Sequence, residues 1–259
     1  MAHIIAVTNQ KGGVGKTTTC CALISGLSAA GYKVLGIDLD PQGNLGFSLG
    51  IDIENGFTIY DLLRGSAGIN DVIRRTASGD MIPSNILLSS LELEFDRSGM
   101  EYMLQNAIAP VKNSYDFIVI DTPPALNILT VNAYVPSDSL IIPMLPEVLS
   151  LLGISQLKDT VEAVKRSRNA NLKILGVLLI KYNKHLNLVR EVEELTTAIA
   201  EQLETSILKT KIRNNIAVAE APAHGQSVLT YAPRSNAAAD FNALIKEVCA
   251  IISPGRARQ

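Results

Sequence analysis

The chain has 259 residues, 47% of them hydrophobic, and a formal net charge of −2. That length and apolar content build a large core, as one α/β domain or two smaller ones. The near-neutral balance excludes a global basic field, so any nucleic-acid contact must come from a local patch or from dimerisation. The first predicted strand covers 3–8 and runs into Gln10-Lys11-Gly12-Gly13-Val14-Gly15-Lys16-Thr17-Thr18, after which a small-residue helix covers 18–30. Further strands are predicted over 33–38, 116–121, 139–143 and 173–180, with a shorter run near 206–208. These runs are continuous rather than alternating, as parallel strands covered on both faces should be. Helices are predicted over 98–109, 125–134, 149–168, 187–203 and 235–251, the last stopping at Ser253-Pro254-Gly255. The stretch 52–98 is the least regular and is expected to form short helices and excursions. The order implies an α/β fold of the P-loop type, with a doubly wound, mostly parallel sheet and helices on both faces. No repeat, linker or boundary divides it, so residues 1–259 read as a single domain.

The three cysteines, Cys20, Cys21 and Cys249, lack metal-ligand spacing and read as small buried residues of a reduced compartment. Gln10 and Lys11 end the N-terminal apolar stretch too early for a signal peptide. The most apolar later stretch, 140–154, is broken by Pro143, Pro146 and Glu147 and is no spanning helix. A soluble, intracellular protein is expected.

Strand, glycine-rich turn and helix make the geometry of a phosphate cradle. The glycines let successive backbone N–H groups converge on an anion, and the helix N-terminus adds its positive dipole end. Lys16 then reaches the β- and γ-phosphates, and the Thr17 hydroxyl binds Mg²⁺. The competing reading is a glycine-rich turn whose lysines are merely solvated. The usual G-x-x-x-x-G-K-[ST] pattern is incomplete, because Gln10 stands where its first glycine belongs. In its place the loop carries a second cation, Lys11. The strand over 33–38 runs into Asp38-Leu39-Asp40-Pro41-Gln42-Gly43-Asn44, and an Asp there can orient the attacking water or hold Mg²⁺. Four apolar residues run directly into Asp121, whose carboxylate supports the metal. Alone that signal is weak, since Asp often ends strands as a turn or cap residue. Pro123-Pro124 stiffens the turn that follows.

Together, Lys-Gly-Gly-Val-Gly-Lys-Thr-Thr (11–18), the Asp-Leu-Asp-Pro-Gln-Gly-Asn element (38–44) and Ile-Asp-Thr-Pro-Pro (120–124) resemble the ParA/MinD superfamily of deviant-Walker ATPases. Asp-Pro-Gln-Gly-Asn points to its ParA (Soj-like) branch, and segments 219–225 and 231–237 echo it further. The resemblance covers nearly the whole chain. It implies that Lys11 crosses to the nucleotide of the partner subunit in an ATP-bound sandwich dimer. Gly12 leaves room for that approach, and Gly13, Val14, Gly15 and Thr18 complete the loop around Lys16 and Thr17. Asp40 matches the residue needed for hydrolysis, and with Thr17 and Asp121 it forms the metal side. Lys11, Lys16 and Asp40 are thus the catalytic set. Asp38 reads equally as a structural strand-end carboxylate. Asn183 matches a position that reads adenine, or caps the next helix instead. Arg213 is placed with the nucleotide contacts.

The resemblance further implies ATP/ADP and Mg²⁺ as cofactors, a homodimer when ATP is bound, a ParB-like activator and nonspecific DNA as a partner. Slow basal hydrolysis and a cytoplasmic, nucleoid-associated location follow. The chain departs from the family at two basic positions, where His185 and Ala217 stand for arginines. Lys181, Lys184, Arg190, Lys209, Lys211 and Arg213 could supply a substitute patch. Lys165-Arg166-Ser167-Arg168 reads as a solvated helix end. With the first strand at residue 3, no N-terminal helix-turn-helix is expected. A MinD-like protein acting on a membrane or another non-DNA cargo is the alternative, but the tail 253–259 lacks an apolar face. A metal-cluster reductase would need cysteines near the switch regions, and a small-molecule kinase gives no reason for Lys11.

Overall fold

The continuous apolar runs become the centre of one sheet. The computed structural model describes residues 1–91, 99–146, 153–183 and 189–252. Within them the strands are β1 (His3–Val7), β2 (Val34–Asp38), β3 (Arg74–Thr76), β4 (Gly79–Ile82), β5 (Phe117–Asp121), β6 (Ser139–Met144), β7 (Lys173–Tyr182) and β8 (Ile212–Arg213). They lie in the order β3-β4-β2-β5-β1-β6-β7-β8. Neighbours are parallel throughout, apart from the antiparallel β3–β4 pair.

Alternate residues of each central strand serve different cores, which is why the runs show no polar alternation. Ile4, Ala6, Leu35, Ile37, Ile118 and Ile120 face one layer, where α2 (Ile128–Tyr134), α3 (Ile154–Ser167) and α4 (Val189–Gln202) pack. Ile5, Val7, Val34, Val119 and Ile141 face the other, where α1 (Lys16–Ala29) and α5 (Asn236–Ile252) pack. At 25 cal/mol per Å², each fully buried leucine or isoleucine contributes roughly 1.5–3 kcal/mol, so both layers are indispensable. Helix α1 is buried on most of its sides and carries Gly26 where α5 crosses; a Cβ there would run into Ile245.

The irregular stretch does contain the short helices Ile59–Arg64 and Ile69–Val72. It also holds the β3–β4 hairpin, which sequence reading missed. Three-residue β3 has no apolar alternation to reveal it; β4 is recruited by pairing with β2 through Leu35, Gly36 and Ile37. The run near 206–208 forms no strand. It makes a single bridge, Val177 to Ile207, and the last strand is instead β8. The helix expected over 98–109 divides into a 3₁₀ turn at Met100–Tyr102 and a helix at Met103–Ile108. The expected stop at Ser253-Pro254-Gly255 lies outside the described residues.

Strands β5 and β6 flank β1, and the helices that follow β1 and β6 go to opposite layers. Such a reversal opens a crevice at the carboxyl ends of the strands, the usual ligand position of a doubly wound sheet. Among the described residues no helix is long and apolar enough to cross a membrane.

Candidate functional site

Between Val7 and Lys16 the chain must turn from strand into helix within a few residues. Gly13 and Gly15 make this possible, with φ of 73° and 79° in the left-handed region. Gly15 also lies against β7, where a Cβ would come within 2.8 Å of Ile180 Cδ1. Gly15→Ala is therefore expected to lose about 1–3 kcal/mol from combined backbone strain and overpacking. Thermal denaturation reads this as a lower melting temperature; an unchanged one would mean the loop relaxes freely. Gly12 and Gly13 face outward, with nothing within 4 Å of an added Cβ.

Asn9, passed over in the sequence, fastens the start of the loop. Its Nδ2 donates to the Pro143 carbonyl (2.7 Å), and its Oδ1 accepts the Lys11 N–H (2.9 Å). Pro143 lies on β6, 134 residues away, so no local spacing signals this role.

Lys16 is 6% exposed and donates through Nζ to the Lys11 carbonyl (3.2 Å), closing the loop upon itself. Burial lowers its proton affinity, while the charges of Asp121 and Asp40 act to hold the proton. The Thr17 hydroxyl donates to Asp121 Oδ2 at 2.6 Å, so the loop and the end of β5 meet directly. Asp121 is fully buried. Burial pushes its carboxyl up to about 7, against the opposing pull of the Thr17 hydrogen bond and Lys16. Its other oxygen, Oδ1, is buried without a hydrogen-bond partner.

Asp38 and Asp121 are register partners at the ends of β2 and β5. The Asp38 carboxylate accepts N–H groups from Asp40 (2.9 Å), Leu45 (3.0 Å) and Gly46 (3.4 Å). It therefore shapes the loop that carries Asp40, which is the structural role weighed for it. Burial and then Asp121 raise its carboxyl well above the ordinary range. Asp40, 7% exposed, accepts the Gln42 N–H (3.0 Å).

A cleft of about 940 Å³ begins at the loop, an adequate size for a nucleotide. Its lining includes Gly12, Gly13, Gly15, Lys16, Thr17, Thr18 and Asp40, together with Lys181, Arg213 and residues 214–216. Val14 is buried beneath the loop. Lys11 joins the site through its backbone, by the two hydrogen bonds given above. Asn183, one residue past β7 and exposed, is not among the residues lining the cleft. Arg213 lines it, but its guanidinium is held by Asp240 through Nη2 (2.7 Å) and Nε (2.9 Å). A separate cavity of about 590 Å³ sits at the amino ends of β2 and β4, remote from every motif residue.

The oxygens of Thr17, Asp40 and Asp121 suit Mg²⁺, which takes one or two protein ligands and fills its shell with water and phosphate. The unpartnered Asp121 Oδ1 is the acceptor that a metal-bound water would satisfy. Among the described residues no cluster of three His, Cys, Asp or Glu could hold a metal by itself. Cys20 and Cys21 are buried, which raises both thiols and leaves them neutral.

Of the basic residues, Lys211 lies 4.5 Å from the Tyr182 ring centroid, and the Lys209 N–H donates to Glu247 (2.7 Å). Lys184, His185 and the side chain of Arg190 lie outside the described residues, and Ala217 is buried. The 165–168 cluster ends α3, with Lys165 near Glu162 (3.1 Å) and Arg168 paired to Glu101 (3.0 Å).

A family model described as an AAA domain matches residues 2–174. The chain is 42% identical over 257 residues to the sporulation initiation inhibitor protein Soj of Bacillus subtilis, covering 96% of this chain and 99% of that protein. It is 37% identical to the chromosome partitioning protein ParA of Caulobacter vibrioides, covering 99% and 96%. Among solved structures, cobyrinic acid a,c-diamide synthase of Mycobacterium smegmatis with bound ADP and magnesium superimposes with a TM-score of 0.86. That pair is 31% identical and covers 99% and 97% of the two chains.

Proposed function

The chain belongs to the Soj/ParA family of partitioning ATPases, and from that premise we propose that it is an ATP-driven dimerisation switch for DNA segregation. The loop 12–18 would hold the phosphates of ATP, and Thr17, Asp40 and Asp121 would hold the Mg²⁺ that neutralises them. One observation carries this reading: the 2.6 Å hydrogen bond from Thr17, which lines the cleft with Lys16 and Asp40, to Asp121 buried behind it. It joins the loop that grips the phosphates to the strand end that supports the metal.

Chemistry then follows from position. Lys16 neutralises charge that builds on the transferring phosphoryl group, and backbone N–H groups of the loop cradle the rest. Asp40 orients the attacking water and accepts a proton from it. Lys11 adds a second cation, delivered to the nucleotide of a second copy. The outward-facing Gly12 and Gly13 permit that approach, and exposed Phe47 (57%) and Ile216 (75%), both on the cleft wall, supply apolar area for it. In the ATP dimer, lysines and arginines from two copies add up to a phosphate-binding surface that one near-neutral copy lacks. A ParB-like partner stimulates hydrolysis and releases the dimer from DNA.

The test is binding of the Asp40→Ala protein to nonspecific duplex DNA with ATP, ADP or no nucleotide, across a salt series. Expected is binding only with ATP, weakening steeply with salt, and its loss in an Asp40→Ala/Lys11→Ala double variant that cannot close the dimer. An ATP dimer that ignores DNA at low salt sinks the DNA-segregation reading and points to a protein or lipid surface instead.

A further inference from the structure

Among the described residues, only Lys181 and Glu204 adopt positive φ without being glycine; for Lys181 it is 55°. A lysine gains nothing locally from the left-handed region, so its surroundings must impose it. Lys181 is the extra residue of a bulge. Ile180 pairs with Ile212, and the next pair is Tyr182 with Arg213, so one step on β8 spans two on β7. Bulges re-aim side chains at sites. Ile180 packs beside Gly15 behind the phosphate loop, and Tyr182 turns toward Lys211. Lys181, lying between them, is exposed and lines the cleft with Gly12, Gly13 and Gly15 to Thr18.

This inference rests on the nucleotide-binding reading above. A nucleotide whose phosphates lie on 12–18 extends its base along the rest of the cleft, beside a wall that includes Lys181, Arg213 and residues 214–216. Arg213 on that wall is committed to Asp240. Among the described residues no acid pairs with Lys181, and its ammonium is the cation available to a base. We propose that Lys181 reads the purine edge and thereby admits guanine as well as adenine. An ammonium has three donors and no acceptor. Guanine presents two adjacent acceptors, N7 and O6, whereas adenine offers N7 beside an amino group that can only donate. Lys181 therefore gains more from guanine, and selection against GTP is weak.

The experiment is calorimetric titration of the full chain with Mg²⁺ and the β,γ-imido analogues of ATP and GTP. The unaltered protein is expected to bind the two within about tenfold of each other. Lys181→Met keeps the length without the charge, and should weaken the GTP analogue about tenfold or more and the ATP analogue about threefold or less. Lys181→Gly relieves the backbone while removing the side chain. It should shift the ratio the same way without lowering the melting temperature, separating a side-chain role from a structural one. Equal weakening of both analogues, unchanged affinities, or an unaltered protein that binds only the ATP analogue each overturn the inference. Failure of the unaltered protein to bind either analogue overturns the nucleotide reading itself.

Discussion

Alanine at position 16 is expected to weaken Mg²⁺–ATP binding at least about a hundredfold while leaving the fold intact. Lys16 is almost wholly buried, yet its ammonium emerges at the floor of the cleft within the fields of Asp121 and Asp40. Burial lowers the effective dielectric around Lys16, so a phosphate oxygen meeting that ammonium gains more than it would in solution. Removing one partner of such a desolvated charge pair costs about 2–5 kcal/mol, and each 1.4 kcal/mol is about tenfold in affinity. The variant also removes one of the positive charges that offset Asp121 and Asp40 beside the anion. The fold loses the hydrogen bond to the Lys11 carbonyl, worth about 1 kcal/mol, and the attraction to Asp121 and Asp40, partly offset by relief of the lysine's own burial. Titration with a fluorescent ATP analogue reads the affinity, and a melting curve checks the fold. Affinity within threefold of the unaltered protein, in a folded variant, would remove Lys16 from phosphate binding.

Fold and site were not equally legible in the sequence. The central strands were legible because both faces are covered: in β1, Ile4 and Ala6 serve one core while Ile5 and Val7 serve the other. An uninterrupted apolar run is the direct trace of that environment. Ile207 and Leu208 leave the same trace yet make only one bridge, because Leu208 is drawn into the core beneath α5. Burial, which composition reports, and pairing, which it does not, came apart there. Hairpin β3–β4 failed for the converse reason, since its pairing with β2 leaves little apolar pattern.

At the site, Lys16, Thr17 and Asp121 were legible because chemistry and chain position coincide, a strand end and a helix start brought together by topology. Asn9 was not, because its meaning lies in a carbonyl on β6. Nor was the bulge at Lys181, which depends on how two strands pair. Asp38 stood between two readings, and its three backbone N–H partners, invisible in the sequence, give it a structural part in the loop that carries Asp40.

In protein stripped of nucleotide and Mg²⁺, Asp121→Asn is expected to raise stability at pH 8 while lowering affinity for Mg²⁺–nucleotide. The carboxyl of Asp121 ionises near 3.8 in the unfolded chain but is pushed up to about 7 in the fold, chiefly by burial. Below the lower value both states carry the proton, and stability is insensitive to pH. Between the two values only the folded state keeps it, so the folded state binds more protons and stability falls as pH rises. Above about pH 7 the loss is complete. Each tenfold in proton affinity is worth about 1.4 kcal/mol, which sets a ceiling of about 4 kcal/mol on the effect. Asn carries no charge, keeps an oxygen for the Thr17 hydroxyl, and leaves a buried amide N–H₂ poorly satisfied at a cost of about 1–3 kcal/mol. The melting temperature of the variant should therefore lie below or level with the unaltered protein near pH 5 and above it by about 2 °C or more at pH 8. Asp38, raised by burial and by the Asp121 charge, slopes the same way; His3, lowered by burial, slopes the other. Both are present in the two proteins, so the difference between their pH profiles isolates most of the Asp121 contribution. Function should move in the opposite direction. A carboxylate that costs the fold stability on its own is repaid when a divalent ion neutralises it, and losing such a partner typically weakens metal binding by about 10–100-fold. Parallel melting profiles for the two proteins from pH 5 to 8 would refute the buried-charge account of Asp121. Undiminished Mg²⁺–nucleotide affinity in the variant would place the ion's support elsewhere.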